Sequence, residues 1–146
     1  MRTLGIAALV TTLVTALVVA GPGAASAQEA GEGLTVELNK TEDVEGGCRS
    51  YFLFRNRTGL AFAEFEMSLA ILDADGVIDR LLTIDAAPLP SGRTTLKLFE
   101  VPGIGCGEIG EILLHDIAAC RPQNEEPVDC FGFLELMSRT DAPLVK

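Results

Sequence analysis

The chain has 146 residues, with 11 Lys and Arg against 21 Asp and Glu, and a formal net charge of −10 at pH 7. A field of this sign repels nucleic acid and anionic lipid headgroups, and no basic cluster offsets it locally, so the composition argues against both as partners. Charge of this size is typical of a protein that self-repulsion keeps in solution.

The N-terminus has the three parts of a secretory signal peptide. Arg2 precedes an uncharged apolar run over 4–20, and small residues surround Ala25-Ser26-Ala27. Because Gly21-Pro22-Gly23 interrupts the run and an A-x-A site comes after it, we expect cleavage after residue 27 rather than a membrane anchor.

The leader also indicates the export route. Twin-arginine export requires two arginines, and this leader has only Arg2, so it predicts the general secretory route to the periplasm or the exterior. The mature chain, 28–146, would be one domain without stable membrane insertion. Its ends, 28–33 and 140–146, are expected to be flexible.

Four cysteines lie beyond the predicted cleavage site: Cys48, Cys106, Cys120 and Cys130. An oxidising compartment favours two disulfides. Four cysteines allow three connectivities, and their spacing alone does not choose among them.

Alternating apolar and polar residues predict the first two strands. Residues 34–38 alternate and are followed by 39–43, whose polar residues are typical of a turn. The aromatic-rich segment 49–55 lies between Gly46-Gly47 and a second polar stretch, which favours a strand.

A β-hairpin is predicted next, from a strand over 64–73, a two-residue turn at Asp75-Gly76 and a return over 77–84. Residues 60–66 are ambiguous, because apolar residues at spacings of three and four also fit a helical stripe. We favour the strand, since the turn makes a hairpin simple and a helix awkward.

Two prolines make 87–92 a loop, and 93–99 alternates again as a strand. Residues 108–118 fit either a helix face or a strand. We favour a strand, because a proline-containing loop over 121–129 has a cysteine at each end and 131–138 is rich in β-type residues. This pattern indicates a hairpin closed by a disulfide at its mouth.

The fold class is therefore all-β: an antiparallel two-sheet sandwich, immunoglobulin-like in size, with about seven strands and room for one short helix. Four aromatic residues are expected to be the large members of its core: Phe52, Phe54, Phe65 and Phe99. In such a sandwich the strand after Cys48 and the strand before Cys106 run antiparallel as neighbours. That arrangement predicts Cys48–Cys106, and Cys120–Cys130 as the remaining pair.

Several short motifs resemble a family of small secreted proteins of Gram-negative bacteria, often labelled "Tat pathway signal sequence domain" proteins. They cover most of the mature chain: Gly47-Cys48-Arg49, Arg55-Asn56, Asp75-Gly76, Leu89-Pro90, Lys97-Leu98-Phe99, Gly105-Cys106, Ile109-Gly110 and Cys120. The resemblance implies a secreted protein from such an organism, and it carries over no catalytic residue.

Asp73, Asp75 and Asp79 are the candidate metal ligands, because they place three carboxylates beside a glycine. An EF-hand needs its glycine at the sixth position and a glutamate at the twelfth, whereas here glycine is fourth and Ile84 is twelfth. The hairpin turn accounts for Asp75-Gly76 without a cation, so no metal or other cofactor is predicted.

His115, beside Asp116, is the only histidine, and catalysis by a Ser-His-Asp or Cys-His set would have to use it. No serine lies in a nucleophile-elbow context, and the cysteines are expected to be paired, so we interpret His115 as a partly buried structural residue. One histidine leaves too few ligands for zinc, and Met67 and Met137 are too scattered for a copper carrier.

No coherent catalytic set emerges, so no catalytic or cofactor-binding residue is predicted. The sequence favours a secreted or periplasmic module that binds another protein or an envelope component through a loop or an exposed sheet edge. The alternative is a small envelope hydrolase or metal-dependent enzyme with carboxylates near His115. A concave pocket of converging carboxylates would favour the enzyme, and an uncovered strand edge would favour binding.

Overall fold

A computed structural model describes residues 33–146 and shows two four-stranded β-sheets packed face to face. The predicted signal peptide and residues 28–32 lie outside the described residues. Eight strands form the sheets: β1 (Leu34–Val44), β2 (Gly47–Asn56), β3 (Phe62–Asp73), β4 (Ile78–Asp85), β5 (Thr94–Pro102), β6 (Ile109–Pro122), β7 (Leu134–Ser138) and β8 (Leu144–Val145).

Sheet A has the order β5-β2-β1-β7 and sheet B the order β4-β3-β6-β8. The pairings β1–β2, β2–β5, β3–β4 and β3–β6 are antiparallel, but β1 pairs with β7 and β6 pairs with β8 in parallel. The predicted all-β two-sheet sandwich is confirmed. In the described residues the helical content is limited to two three-residue 3₁₀ turns, Cys106–Glu108 and Phe131–Phe133.

Strict alternation along β2 shows why the sheets pack as they do. Every second residue from Cys48 to Asn56 is buried, and the residues between them are partly exposed. Successive side chains of a strand point to opposite faces, so one face of β2 joins the core while the other faces solvent.

Phenylalanines fill the core near the centre of the sandwich. Phe54 and Phe65 meet edge to face with centroids 6.1 Å apart, and Phe62 lies 6.0 Å from Phe65 in a similar arrangement. Three of the four predicted core aromatics are fully buried, while Phe99 is only partly buried and packs against Phe52 at 5.8 Å.

In both ambiguous segments the favoured strand forms, with β3 beginning at Phe62 and β6 at Ile109. The helical spacing in β3 and β6 arises from β-bulges, because β6 slips against β3 at four places and each slip displaces the apolar alternation. Gly110 lies at one slip, where a Cβ atom would come within 2.2 Å of the Asp73 carbonyl oxygen. Only glycine permits that approach.

Two predicted turns are wrong in detail. Residues 39–43 belong to β1, and the chain reverses at Glu45-Gly46, where Gly46 has a φ of 85°. The loop between β3 and β4 has four residues, 74–77, with one positive φ at Gly76. Local composition indicates that a turn lies nearby, but it does not determine how far the β1–β2 pairing extends before the chain reverses.

The disulfides are Cys48–Cys106, with Cα atoms 4.8 Å apart, and Cys120–Cys130, with Cα atoms 6.2 Å apart. These are the two pairs inferred from the sandwich. The predicted hairpin around the second pair is wrong, because β6 belongs to sheet B and β7 to sheet A. The Cys120–Cys130 bond therefore closes a loop that crosses between the sheets.

The C-terminal residues 140–146 make defined contacts with the sandwich. They include β8, and the Lys146 Nζ donates to the carbonyl oxygens of Leu134 at 2.7 Å and Phe131 at 3.1 Å. A two-residue strand leaves no periodic signal in the sequence, so only its tertiary contacts reveal it.

Candidate binding face on sheet A

The three candidate metal ligands named from the sequence, Asp73, Asp75 and Asp79, have other roles in the structure. Asp73 Oδ1 accepts hydrogen bonds from the backbone N–H groups of Asp75 and Val77, both at 2.9 Å, and so stabilises the β3–β4 turn. Asp79 pairs with Arg80. Among residues 33–146 no group of three or more His, Cys, Asp or Glu side chains is placed to hold a metal ion.

His115 is exposed, so its interpretation as a partly buried structural residue is wrong. It lies at a bulge of β6, between residues that pair with Ser68 and Leu69, and has no register partner of its own. The bulge explains why the expected burial was wrong, because the extra residue does not follow the alternation of buried and exposed positions along the strand. The neighbouring Asp116 carboxylate accepts the Ile117 N–H at 2.8 Å, a local backbone contact.

The outer face of sheet A carries an apolar stripe that crosses all four strands at one level. Leu96 on β5 is in register with Leu53 on β2, Leu53 with Glu37 on β1, and Glu37 with Met137 on β7. Tyr51 and Leu98 form the next rung and belong to the stripe. Leu96, Leu98 and Met137 are between 42% and 53% exposed, so the stripe is open to solvent.

Glu37 interrupts this stripe with a buried carboxylate, only 1% exposed. Arg55 Nη1 donates to its Oε2 at 2.8 Å, and Asn39 Nδ2 donates to its Oε1 at 2.7 Å. These hydrogen bonds, the one from Arg55 first, lower the pKa of Glu37 below its usual value. The carboxylate therefore stays ionised and holds the Arg55 guanidinium against the sheet.

A groove of about 370 Å³ lies beside this ion pair. We call it the arginine groove, and its lining residues come from β1, from β2 and the loop after it, and from β7 and the turn beyond it: Thr35, Glu37, Arg55, Arg57, Glu135, Met137 and Arg139. Arg139 Nε lies 3.7 Å from Glu37 Oε2, and its side chain is 62% exposed. Two guanidinium groups, those of Arg55 and Arg139, thus lie near one buried carboxylate, and Arg57 lines the same groove.

Charge is distributed unevenly over the molecule. The outer face of sheet A and its groove hold five of the ten Lys and Arg residues in 33–146, against four acidic residues: Lys40, Arg49, Arg55, Arg57 and Arg139 against Glu37, Glu42, Glu100 and Glu135. The rest of that span holds five cations against fifteen acids. The face is therefore close to neutral on an otherwise strongly acidic molecule.

The stripe reaches the edge of its sheet. β5 is the terminal strand of sheet A, and Leu96 and Leu98 lie on it. Lys97, between them, points the other way and donates from Nζ to the Ala87 carbonyl oxygen at 2.8 Å. That bond joins the edge of sheet A to the loop after β4 and holds the edge strand in place.

At the end of β2, the side chain of Asn56 is buried on the core side and joins the loops together. Its Nδ2 donates to the carbonyl oxygens of Leu60 at 2.7 Å, Leu89 at 3.0 Å and Pro90 at 3.2 Å. Its Oδ1 accepts the Thr58 hydroxyl at 2.8 Å. Arg57, the next residue, therefore extends into the groove from a well-fixed backbone.

Sequence reasoning did not find Glu37, Arg55 and Arg139 as a group. The alternation Val36-Glu37-Leu38 assigned Glu37 correctly to the outer face, where a glutamate is expected in water. Its burial comes from β7, whose parallel pairing with β1 has no local signal. The one feature of the sequence that pointed to this group was an acid, Glu37, and a base, Arg55, on successive strands.

The comparisons with known proteins show the fold alone. No protein-family model and no curated protein matches the chain. Among solved structures, the chain is similar to IrmA from Escherichia coli, with a TM-score of 0.54 and 14% identity over 70% of this chain and 89% of that one. In residues 33–146 there is no helix with the length and apolar character needed to span a membrane.

Proposed function

We propose that the protein is a secreted or periplasmic binding module that reaches its compartment by the general secretory route after removal of 1–27. Two disulfides support an oxidising environment, because such bonds are rare where thiols are kept reduced. The leader pattern supports the route. The resemblance to small secreted Gram-negative proteins is in keeping with export.

The apolar stripe on sheet A is the observation that carries the proposed binding role. Four large residues lie side by side on β2 and β5, Met137 lies beyond Glu37 on β7, and arginines lie at the rim. Three of these five residues are about half exposed: Tyr51, Leu53, Leu96, Leu98 and Met137. Tyr, Met and Arg are enriched in protein interfaces, and contiguous exposed apolar surface marks interaction sites.

Another protein is the partner class that this face fits. Its near-neutral charge spares a partner the repulsion that the remaining acidic surface would exert, which favours one docking orientation. The open β5 edge adds backbone donors and acceptors for an extended segment of the partner. No observation on the described residues favours the alternative of a carboxylate-based hydrolase near His115.

Affinity capture with matched variants tests this proposal. The mature chain, 28–146, is immobilised and exposed to extract from the cell envelope of its own host. Replacing Leu96 and Leu98 together with serine should abolish the captured species. The control replaces Ile78 and Leu81 with serine, since Leu81 is 65% exposed on the opposite sheet.

Both double variants must first show the circular dichroism spectrum of the parent. Equal capture by the two variants would contradict the assignment to sheet A. Turnover of a generic ester or glycan substrate, with no captured species, would reverse the choice between binding and catalysis.

A further inference from the structure

We propose that the arginine groove binds a carboxylate group of the ligand, with the neighbouring apolar stripe taking an apolar group beside it. This inference rests on the proposed function, because it names the chemistry recognised at the same face. It depends on which charges in the groove already have partners.

Both oxygens of the buried carboxylate already accept a hydrogen bond. Glu37 Oε1 accepts from Asn39, and Glu37 Oε2 accepts from Arg55. Because both oxygens have donors, Glu37 holds the groove together and does not need a further cation. Its role is to fix the position of Arg55 on an open sheet surface.

The guanidinium groups are not fully engaged. A guanidinium has five N–H donors, but of the three Arg55 side-chain nitrogens only Nη1 donates a hydrogen bond within residues 33–146. Arg139 Nε, at 3.7 Å from Glu37 Oε2, is beyond hydrogen-bonding distance. The Arg57 side chain has no hydrogen bond or ion pair within the same span. With respect to residues 33–146, the groove therefore offers unused donors from three arginines.

Charge balance selects the ligand class. Three arginines line the groove together with Glu37 and Glu135, which leaves one excess positive charge there. A carboxylate monoanion neutralises that excess, whereas a phosphate dianion would reverse it and lie near Glu135. Guanidinium forks also match the planar geometry of a carboxylate. The attraction acts locally, since screening in salt limits it to about 10 Å.

The surroundings define the rest of the ligand. Met137 lines the groove, and on the other side of Glu37 the same rung of the sheet continues with Leu53 and Leu96. An apolar side chain attached next to the carboxylate would pack on this row. A chain terminus with an apolar last residue fits this description, and an aspartate or glutamate side chain supplies the same carboxylate.

Three small probes distinguish a carboxylate at a chain terminus from one on a side chain, in a titration followed by amide chemical shifts. The probes are N-acetyl-leucine, its uncharged amide N-acetyl-leucinamide, and N-acetyl-aspartate amide, with inorganic phosphate as the competing anion. We expect N-acetyl-leucine to bind most tightly, with shifts at the groove, and its amide to bind at least about threefold more weakly. Tighter binding of the aspartate probe would assign the carboxylate to a side chain.

Arg57→Gln and Arg139→Gln should each weaken binding of N-acetyl-leucine by about three- to tenfold. Arg121→Gln is the control, since Arg121 pairs with Glu64 on sheet B, and should leave the affinity unchanged. Equal affinity for the acid and the amide, stronger binding of phosphate, no shift at the groove, or equal losses in the three variants would each overturn the inference.

These outcomes are separate from the test of the binding face. If the capture depends on Leu96 and Leu98 while no carboxylate binds, the face stands and the inference fails. If both fail, the face itself is wrong.

Discussion

Glu37→Gln is the most informative stability variant, because it removes the charge of the buried carboxylate while keeping its shape. The variant gives Arg55 a neutral amide as acceptor and leaves its guanidinium against the sheet without an anion, so the ion-paired hydrogen bond is lost. Such a bond is worth about 1.5–3 kcal/mol. Since the Arg55 side chain is 30% exposed, water recovers part of this, and we expect a loss of about 1–2 kcal/mol at pH 7.

The pH dependence results from the lowered pKa of Glu37. A carboxyl whose pKa is lower in the folded state stabilises the fold above its unfolded pKa, and this contribution disappears as the pH falls through the folded value. The difference in free energy of unfolding between the parent and Glu37→Gln should therefore be full at pH 7. It should begin to shrink near pH ~5 and continue to shrink below that.

Urea unfolding at pH 7 and pH 3, with both disulfides intact, measures this difference. The slope against urea should be unchanged, because the exposed surface is the same. Glu64→Gln is the matched control: Glu64 pairs with Arg121 in the open, and its replacement should cost less. Equal losses in the two variants at pH 7, or a Glu37→Gln deficit that grows on acidification, would refute the reasoning.

Three other variants test a buried hydroxyl, an amide that bridges loops and a disulfide, each by urea unfolding at pH 7. The buried Ser50 Oγ has no hydrogen-bond partner in residues 33–146, so Ser50→Ala should be neutral or stabilising by up to about 1 kcal/mol, and a clear loss would reveal a missed partner. Asn56→Ala should cost about 2–4 kcal/mol, since three loop carbonyls lose their donor; a cost below about 1 would show that water replaces it. Replacing Cys48 and Cys106 with alanine opens a bond with a sequence separation of 58 and should cost about 4 kcal/mol, whereas an unchanged midpoint would contradict this.

Alternation in the sequence was sufficient for the strands whose neighbours in the chain are also neighbours in the sheet. β2 shows this, because its buried residues recur at every second position and a short turn joins it to its partner β1. The same logic gave the Cys48–Cys106 pair, since β2 and β5 are antiparallel neighbours. Period-two burial is a local property, and the sequence reports it well.

Properties that depend on distant parts of the chain were missed. β7 lies in a different sheet from the strand before it, and nothing in 131–138 specifies β1 as its partner. That pairing creates the arginine groove and buries Glu37, so the candidate site could not be read from residue types alone. The exposure of His115 depends likewise on a bulge, whose position is set by the β3–β6 register.

Site-specific photo-crosslinking in the native host tests the central claim, that the outer face of sheet A is the binding surface, most directly. A photoreactive amino acid is placed at Leu98 on sheet A or at Leu81 on sheet B, two positions that are both well exposed. We predict a discrete crosslinked species from position 98 and none from position 81. Crosslinks from position 81 alone, or equally from both, would contradict the claim.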